Sequence, residues 1–151
     1  MTTSQHDPDA RGLLRGPRDA LLIVDVQRDF LPGGALAVPN GDAVIPALNR
    51  YIADAEATGA RVFASRDWHP PNHCSFREQG GPWRPHCVAG TVGAQLGSDL
   101  RLPSGAHVID KGTVPEMEAY SAFSGTVLGR TLRAQSVQRL AVISMRVVHP
   151  D

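Results

Sequence analysis

Asp67-Trp68-His69 sets a carboxylate and an imidazole two residues apart, so in extended chain both can face one side. His86 follows in Trp83-Arg84-Pro85-His86-Cys87. One carboxylate with two imidazoles is a divalent-metal set suited to zinc, iron or manganese. Loop histidines also serve as plain caps, so spacing alone leaves both readings open. His73, in the same stretch, is a candidate fourth ligand or a partner that orients the ligands from behind. His6, His107 and His149 fall outside this pattern.

Two further residues could move protons. Asp25 sits in the apolar run Ala20-Leu21-Leu22-Ile23-Val24-Asp25-Val26, and Lys111 follows Ala106-His107-Val108-Ile109-Asp110. Lys111 is the only lysine in a chain with fourteen arginines, which singles it out as a residue kept for its amine. A lone aspartate at a strand end is ordinarily a turn or capping residue. The company of Asp67 and Lys111 at equivalent places moves Asp25 away from that reading.

These residues need strands to carry them. The run at 20–26 is short and continuous rather than alternating, as in a parallel strand buried on both faces. Ile45, Leu48, Ile52 and Ala55 recur at helical spacing between 42 and 58, and Gly59 follows as a C-cap. Residues 61–67 read as a second strand, 106–110 as a third, 127–135 as a helix and 139–144 as a fourth strand. Strand, helix and strand in that order make a βαβ unit, hence an α/β fold with a mostly parallel, doubly wound sheet. Asp25, Asp67 and Lys111 then share the carboxyl rim, where such sheets bind ligands. Residues 68–105 are rich in Pro and Gly and hold three of the six histidines, which favours a functional loop. Residues 1–18 read as a mobile tail, and 19–151 as the domain.

Composition narrows the classes further. Apolar residues make up 42% and charged residues 20%, ordinary for a globular chain. Fifteen basic and fifteen acidic residues cancel, which argues against a nucleic-acid or membrane-surface binder. No apolar run approaches the ~18 residues of a membrane span. The first twenty residues lack the order of a secretory signal, so the expected compartment is the cytoplasm. Two cysteines cannot make a disulfide framework. The partner expected is a small molecule; a homo-oligomer is left open.

In family order, the chain carries Leu22-Ile23-Val24-Asp25-Val26-Gln27-Arg28-Asp29-Phe30 with Gly33-Gly34, then Asp67-Trp68-His69-Pro70-Pro71-Asn72-His73. Trp83-Arg84-Pro85-His86-Cys87-Val88-Ala89-Gly90-Thr91, Lys111-Gly112 and Tyr120-Ser121-Ala122-Phe123 follow. The chain thereby resembles the nicotinamidases of the isochorismatase-like hydrolase family. The resemblance implies a three-layer αβα fold and hydrolysis of nicotinamide to nicotinate and ammonia, a step of NAD salvage. It assigns Asp25 as the proton carrier and Lys111 as the cation beside it. Asp67, His69 and His86 become ligands of one divalent metal, zinc foremost. Phe30 and Trp83 line the ring pocket, with Tyr120 at its edge. Two rivals stand beside this reading: a catalytically dead metal- and pyridine-binding relic, and a family hydrolase acting on another small amide.

The resemblance breaks after the fourth strand. The family's nucleophilic cysteine lies in a segment resembling G-[LIMV]-A-T-D-x-C-V. Here Ser144-Met145-Arg146-Val147-Val148-His149-Pro150-Asp151 follows Ile143, and Pro150 stands where the cysteine is expected. The same segment supplies the family's oxyanion hole. The expectation is an incomplete domain with the last strands and helices missing, a bare strand at the sheet edge and little activity. Cys74 and Cys87 are expected to be packed or incidental thiols.

Overall fold

The computed structural model describes residues 12–145. Residues 1–11 and 146–151 lie outside the described residues, and with them His6, His149 and Pro150. The chain runs β1 (Asp19–Val24), α1 (Ile45–Thr58), β2 (Arg61–Asp67), β3 (His107–Lys111), α2 (Leu128–Ala134) and β4 (Arg139–Ser144). All strand pairings are parallel, in the order β3-β2-β1-β4.

The continuous apolar character of β1 has a direct cause. Leu21 and Ile23 face α1, packing in a core with Leu48, Ile52, Ala55 and Val62. Ala20 and Leu22 face the other way, into a core with Phe63, Ile109 and α2's Leu128 and Leu132. A helix therefore covers each face of the sheet, which is the expected three-layer arrangement.

Several boundaries differ from the expectation by a few residues. Asp42 belongs to a short 3-10 turn over Gly41–Val44, and α1 begins only at Ile45, with a proline in its first turn. The ring fits there because the first N–H groups of a helix need no internal partner. At the other end Gly59 caps the helix with φ of 79°, a left-handed conformation open to glycine at little cost. β1 stops at Val24, because Asp25 turns to φ of 55°. Lys111 is the last rung of β3, paired with Asp67, rather than a residue beyond it. Leu14, within the stretch read as a tail, is buried in the core with Leu48 and Ile52 of α1.

Ile52 is 2% exposed on the inner face of α1. Ile52→Val is expected to lower stability by ~0.5–1.5 kcal/mol, read as a lower denaturant midpoint with an unchanged slope.

Residues 68–105 are largely irregular chain, with short 3-10 turns at Arg77–Gln79 and Val92–Ala94, held by scattered hydrogen bonds. Isolated bridges join Gln27 to Leu96, His69 to Val88 and Phe76 to Trp83. The last two fold the loop on itself; the first, with the Trp68 N–H bonded to the Lys111 carbonyl and the Gly97 N–H to the Val26 carbonyl, ties it to the carboxyl rim of the sheet. Among the described residues β4 pairs only with β1, and Val142 on it is 56% exposed.

Candidate active site

Strand order changes direction between β1 and β4, so the crevice at their carboxyl ends is the place where such a sheet takes a ligand. A cavity of about 350 Å³ opens there, within the ordinary range for small-molecule sites. Asp25, Asp67, Lys111, Phe30, Trp83 and Tyr120 all line it.

Lys111 Nζ lies 2.9 Å from Asp25 Oδ2 and 2.5 Å from Asp67 Oδ1. Its ammonium also donates to the Ala119 carbonyl. The left-handed turn at Asp25 brings its carboxylate to the rim, and the Ser65 hydroxyl donates to Asp25 Oδ1 at 2.8 Å. A non-glycine residue in that conformation costs of order 1 kcal/mol, least for Asp and Asn.

The two carboxyl groups are driven apart. Burial pushes Asp25 up, the Asp67 charge pushes the same way, and Lys111 and Ser65 offset only part of this. Burial also pushes Asp67 upward, but the His69 hydrogen bond and the Lys111 charge outweigh it and hold its carboxyl at about 2. Burial works against the Lys111 charge, yet the two carboxylates keep its value above that of an ordinary lysine. Asp67 thus tends toward the anion and Asp25 toward the protonated form. Such a separation marks acid–base assignments.

Asp67, His69 and His86 converge beside this pair. Their candidate ligand atoms all lie within 4.8 Å of one another, and all three residues are buried. Asp67 Oδ2 is 3.5 Å from His69 Nε2 and 4.0 Å from His86 Nε2. The His69 Nδ1–H donates to the Gly112 carbonyl and the His86 Nδ1–H to the Arg84 carbonyl, both at 2.8 Å. With Nδ1 held by a backbone acceptor, each ring turns Nε2 toward the trio, as in metal-binding imidazoles. Burial works against a charge on His69, yet Asp67 raises it; its Nε2–H faces that carboxylate, and a metal ion would displace the proton. Burial lowers His86, which favours the neutral, ligating form. These donors fit a divalent metal ion.

His73 is not part of that trio. Its ring stacks on His69 at 4.0 Å between centroids. Nε2–H donates to the Met117 carbonyl at 2.9 Å, and Nδ1 accepts from the Ser75 hydroxyl at 2.7 Å. With both nitrogens engaged, it supports the His69 ring from behind. His107 lies elsewhere, stacked on Phe63.

The Lys111-Gly112 pair is tight for a visible reason. Gly112 has φ of +62°, and a Cβ there would stand 2.4 Å from His69 Cε1. Gly112→Ala is expected to displace the His69 ring, lower stability by ~1–3 kcal/mol and weaken metal binding by at least ~10-fold. Thermal melts and zinc titration check both.

Sequence reasoning missed Ser75, Met145, Leu36 and Glu118, which also line the cavity. Ser75 and Glu118 lie in irregular segments, where no period marks an inward side chain. It also gave Gln27 no role, although Gln27 stands inside the quoted motif and is 0% exposed. No local signal set it apart, since Asp25, Arg28 and Asp29 are also polar there.

A parallel α/β sheet with an Asp25–Lys111–Asp67 cluster and a trio that could hold a metal ion at its carboxyl rim is a framework suited to an enzyme acting on a small molecule. The chain belongs to the isochorismatase family: the Isochorismatase domain matches residues 19–143. The Escherichia coli nicotinamidase is 39% identical to it over 150 residues, covering 85% of this chain and 70% of that protein. Among solved structures, the pyrazinamidase of Pyrococcus horikoshii in complex with zinc is 51% identical, with a TM-score of 0.83 over 86% of this chain and 72% of the other. A protein from L. infantum in complex with nicotinate is 37% identical, with a TM-score of 0.75 over 88% and 70% of the two chains. Among the described residues no helix is long and apolar enough to cross a membrane.

Proposed function

We propose that this cavity takes nicotinamide and serves the hydrolysis of its amide to nicotinate and ammonia, in the cytoplasm. The observation that carries the reading is Lys111 bridging Asp25 and Asp67 in the cavity lining, directly beside the His69 and His86 rings. The zinc and nicotinate complexes of the two structural relatives support it.

The roles follow from the geometry. Asp67, His69 and His86 would hold a divalent ion, zinc in our reading, which supplies a positive centre for the pyridine nitrogen. Phe30 and Trp83 would flank the flat ring, and Tyr120, 72% exposed, would stand at the mouth. Asp25 would take the proton of an attacking thiol and return it to the departing ammonia. Lys111 would steady the Asp25 carboxylate and favour a thiolate beside it.

The thiol itself is the open place in this chain. Both cysteines fall outside the cavity lining, and the resemblance puts the nucleophile's place at Pro150, outside the described residues. That observation favours a second reading, a module that binds metal and pyridine without turnover. The two readings share the pocket and differ only in chemistry.

Calorimetric titration of nicotinamide into the zinc-loaded chain tests the pocket. Measurable binding is expected, weakened ~10-fold by Trp83→Leu through lost ring contact, about 1.4 kcal/mol. A folded, zinc-loaded sample that takes up no nicotinamide would overturn the substrate assignment.

A further inference from the structure

Gln27 follows the end of β1 and is wholly buried, yet its side chain is fully used. Its Oε1 accepts from the Asp67 N–H at 2.8 Å. Its Nε2 donates to the Asp67 carbonyl at 2.8 Å and to the Ala94 carbonyl at 2.9 Å. One amide therefore grips both backbone groups of Asp67, in the manner of a neighbouring strand.

That grip falls where the real strand has stopped. The β1–β2 ladder ends at the pairing of Val24 with Ser65, and Asp25 turns away in a left-handed conformation. Asp67 lies two residues past that last rung. On its other side β3 still holds it, through the pairing with Lys111. Gln27 restores the lost side, and its third bond joins Asp67 to the loop at 92–97, which runs against the 3-10 turn at Arg28–Phe30.

We infer that Gln27 is the positioning residue of the metal site. It holds the Asp67 backbone so that Oδ1 meets Lys111 while Oδ2 stands with the His69 and His86 rings. This rests on the reading of Asp67, His69 and His86 as ligands. Gln27 is not among the residues lining the cavity; it acts through the placement of one carboxylate. Outer partners of this kind govern metal affinity because a ligand that can swing loses the ion more easily.

The experiment compares zinc affinity and the visible spectrum of the cobalt-loaded 151-residue chain with those of variants. Gln27→Glu keeps the shape and the acceptor for the Asp67 N–H but removes both donors. It is expected to weaken zinc binding by ~10–100-fold and to alter the cobalt ligand-field bands. Ile52→Val, remote from the rim and mildly destabilising, is expected to change neither, which separates positioning from loss of stability. Wild-type affinity and an unchanged spectrum in Gln27→Glu and Gln27→Leu would overturn the inference. If both variants fail to fold, the wild-type chain decides. The Gln27 side-chain NH₂ resonances are expected to shift when zinc is added, and unshifted resonances would overturn it. Zinc binding lost in His69→Ala but untouched at Gln27 refutes Gln27 alone; a wild-type chain that takes no zinc refutes the ligand trio and Gln27 together.

Discussion

Incubated with nicotinamide and saturating zinc, the 151-residue chain is expected to release ammonia close to the uncatalysed rate. Asp25 and Lys111 are arranged for proton transfer, but among the described residues no thiol faces them. Cys87 is 0% exposed, and burial, reinforced by the nearby Asp67 and Asp29 charges, pushes its thiol far up. Its backbone is also pinned, because its N–H donates to Asp29 Oδ2 at 2.7 Å. Cys74 is half-buried and absent from the cavity walls. Removing the nucleophile of a covalent hydrolase costs as much as ~10⁶ in rate. Asp25→Asn should then change little, since there is no proton for the carboxylate to collect. Brisk ammonia release that disappears in Asp25→Asn would prove this wrong. If Cys87→Ala removed it as well, Cys87 would be the nucleophile.

Metal binding is expected to survive in the same chain and to be abolished by His69→Ala. The trio gathers two imidazoles, each oriented by a backbone carbonyl, around a carboxylate that stays ionised. Taking away one of three protein ligands leaves too few donors to compete with water. About one zinc per chain is expected for the wild type by elemental analysis after dialysis, and none for His69→Ala with its fold intact by circular dichroism. Affinity should fall as pH is lowered, because a protonated imidazole has no lone pair to give. Zinc retained by His69→Ala at wild-type strength would remove His69 from the ligand set.

How much of this was legible beforehand depends on the length scale of each signal. β1, β2 and β4 were readable because each holds a short apolar core (Ala20–Val24, Val62–Ala64, Leu140–Ile143), and α1 because Ile45, Leu48, Ile52 and Ala55 repeat on one helical face. These are local properties of the chain. Asp25, Asp67 and Lys111 could be placed on one rim because parallel strands share a carboxyl end, whatever the loops do. The trio at Asp67, His69 and His86 was nominated from residue types whose chemistry suits a metal.

What stayed hidden was long-range. Which face of a loop points inward is set by contacts that no short window contains. Ser75 is an ordinary loop residue until its hydroxyl meets His73, and the two roles open to His73 are told apart only by its bond to the Met117 carbonyl, 44 positions away. The opposite protonation tendencies of Asp25 and Asp67 likewise need three-dimensional neighbours, since the two residues are chemically identical in the sequence. Gln27 is the sharpest case: its amide is a polar side chain in the motif, and only the fold brings it against Asp67 and Ala94. Sequence by itself determined the strands, the helices and the residues able to do chemistry, because those depend on local periodicity and side-chain type. Tertiary structure alone decided how they are held, because hydrogen bonds and burial act through space rather than along the chain.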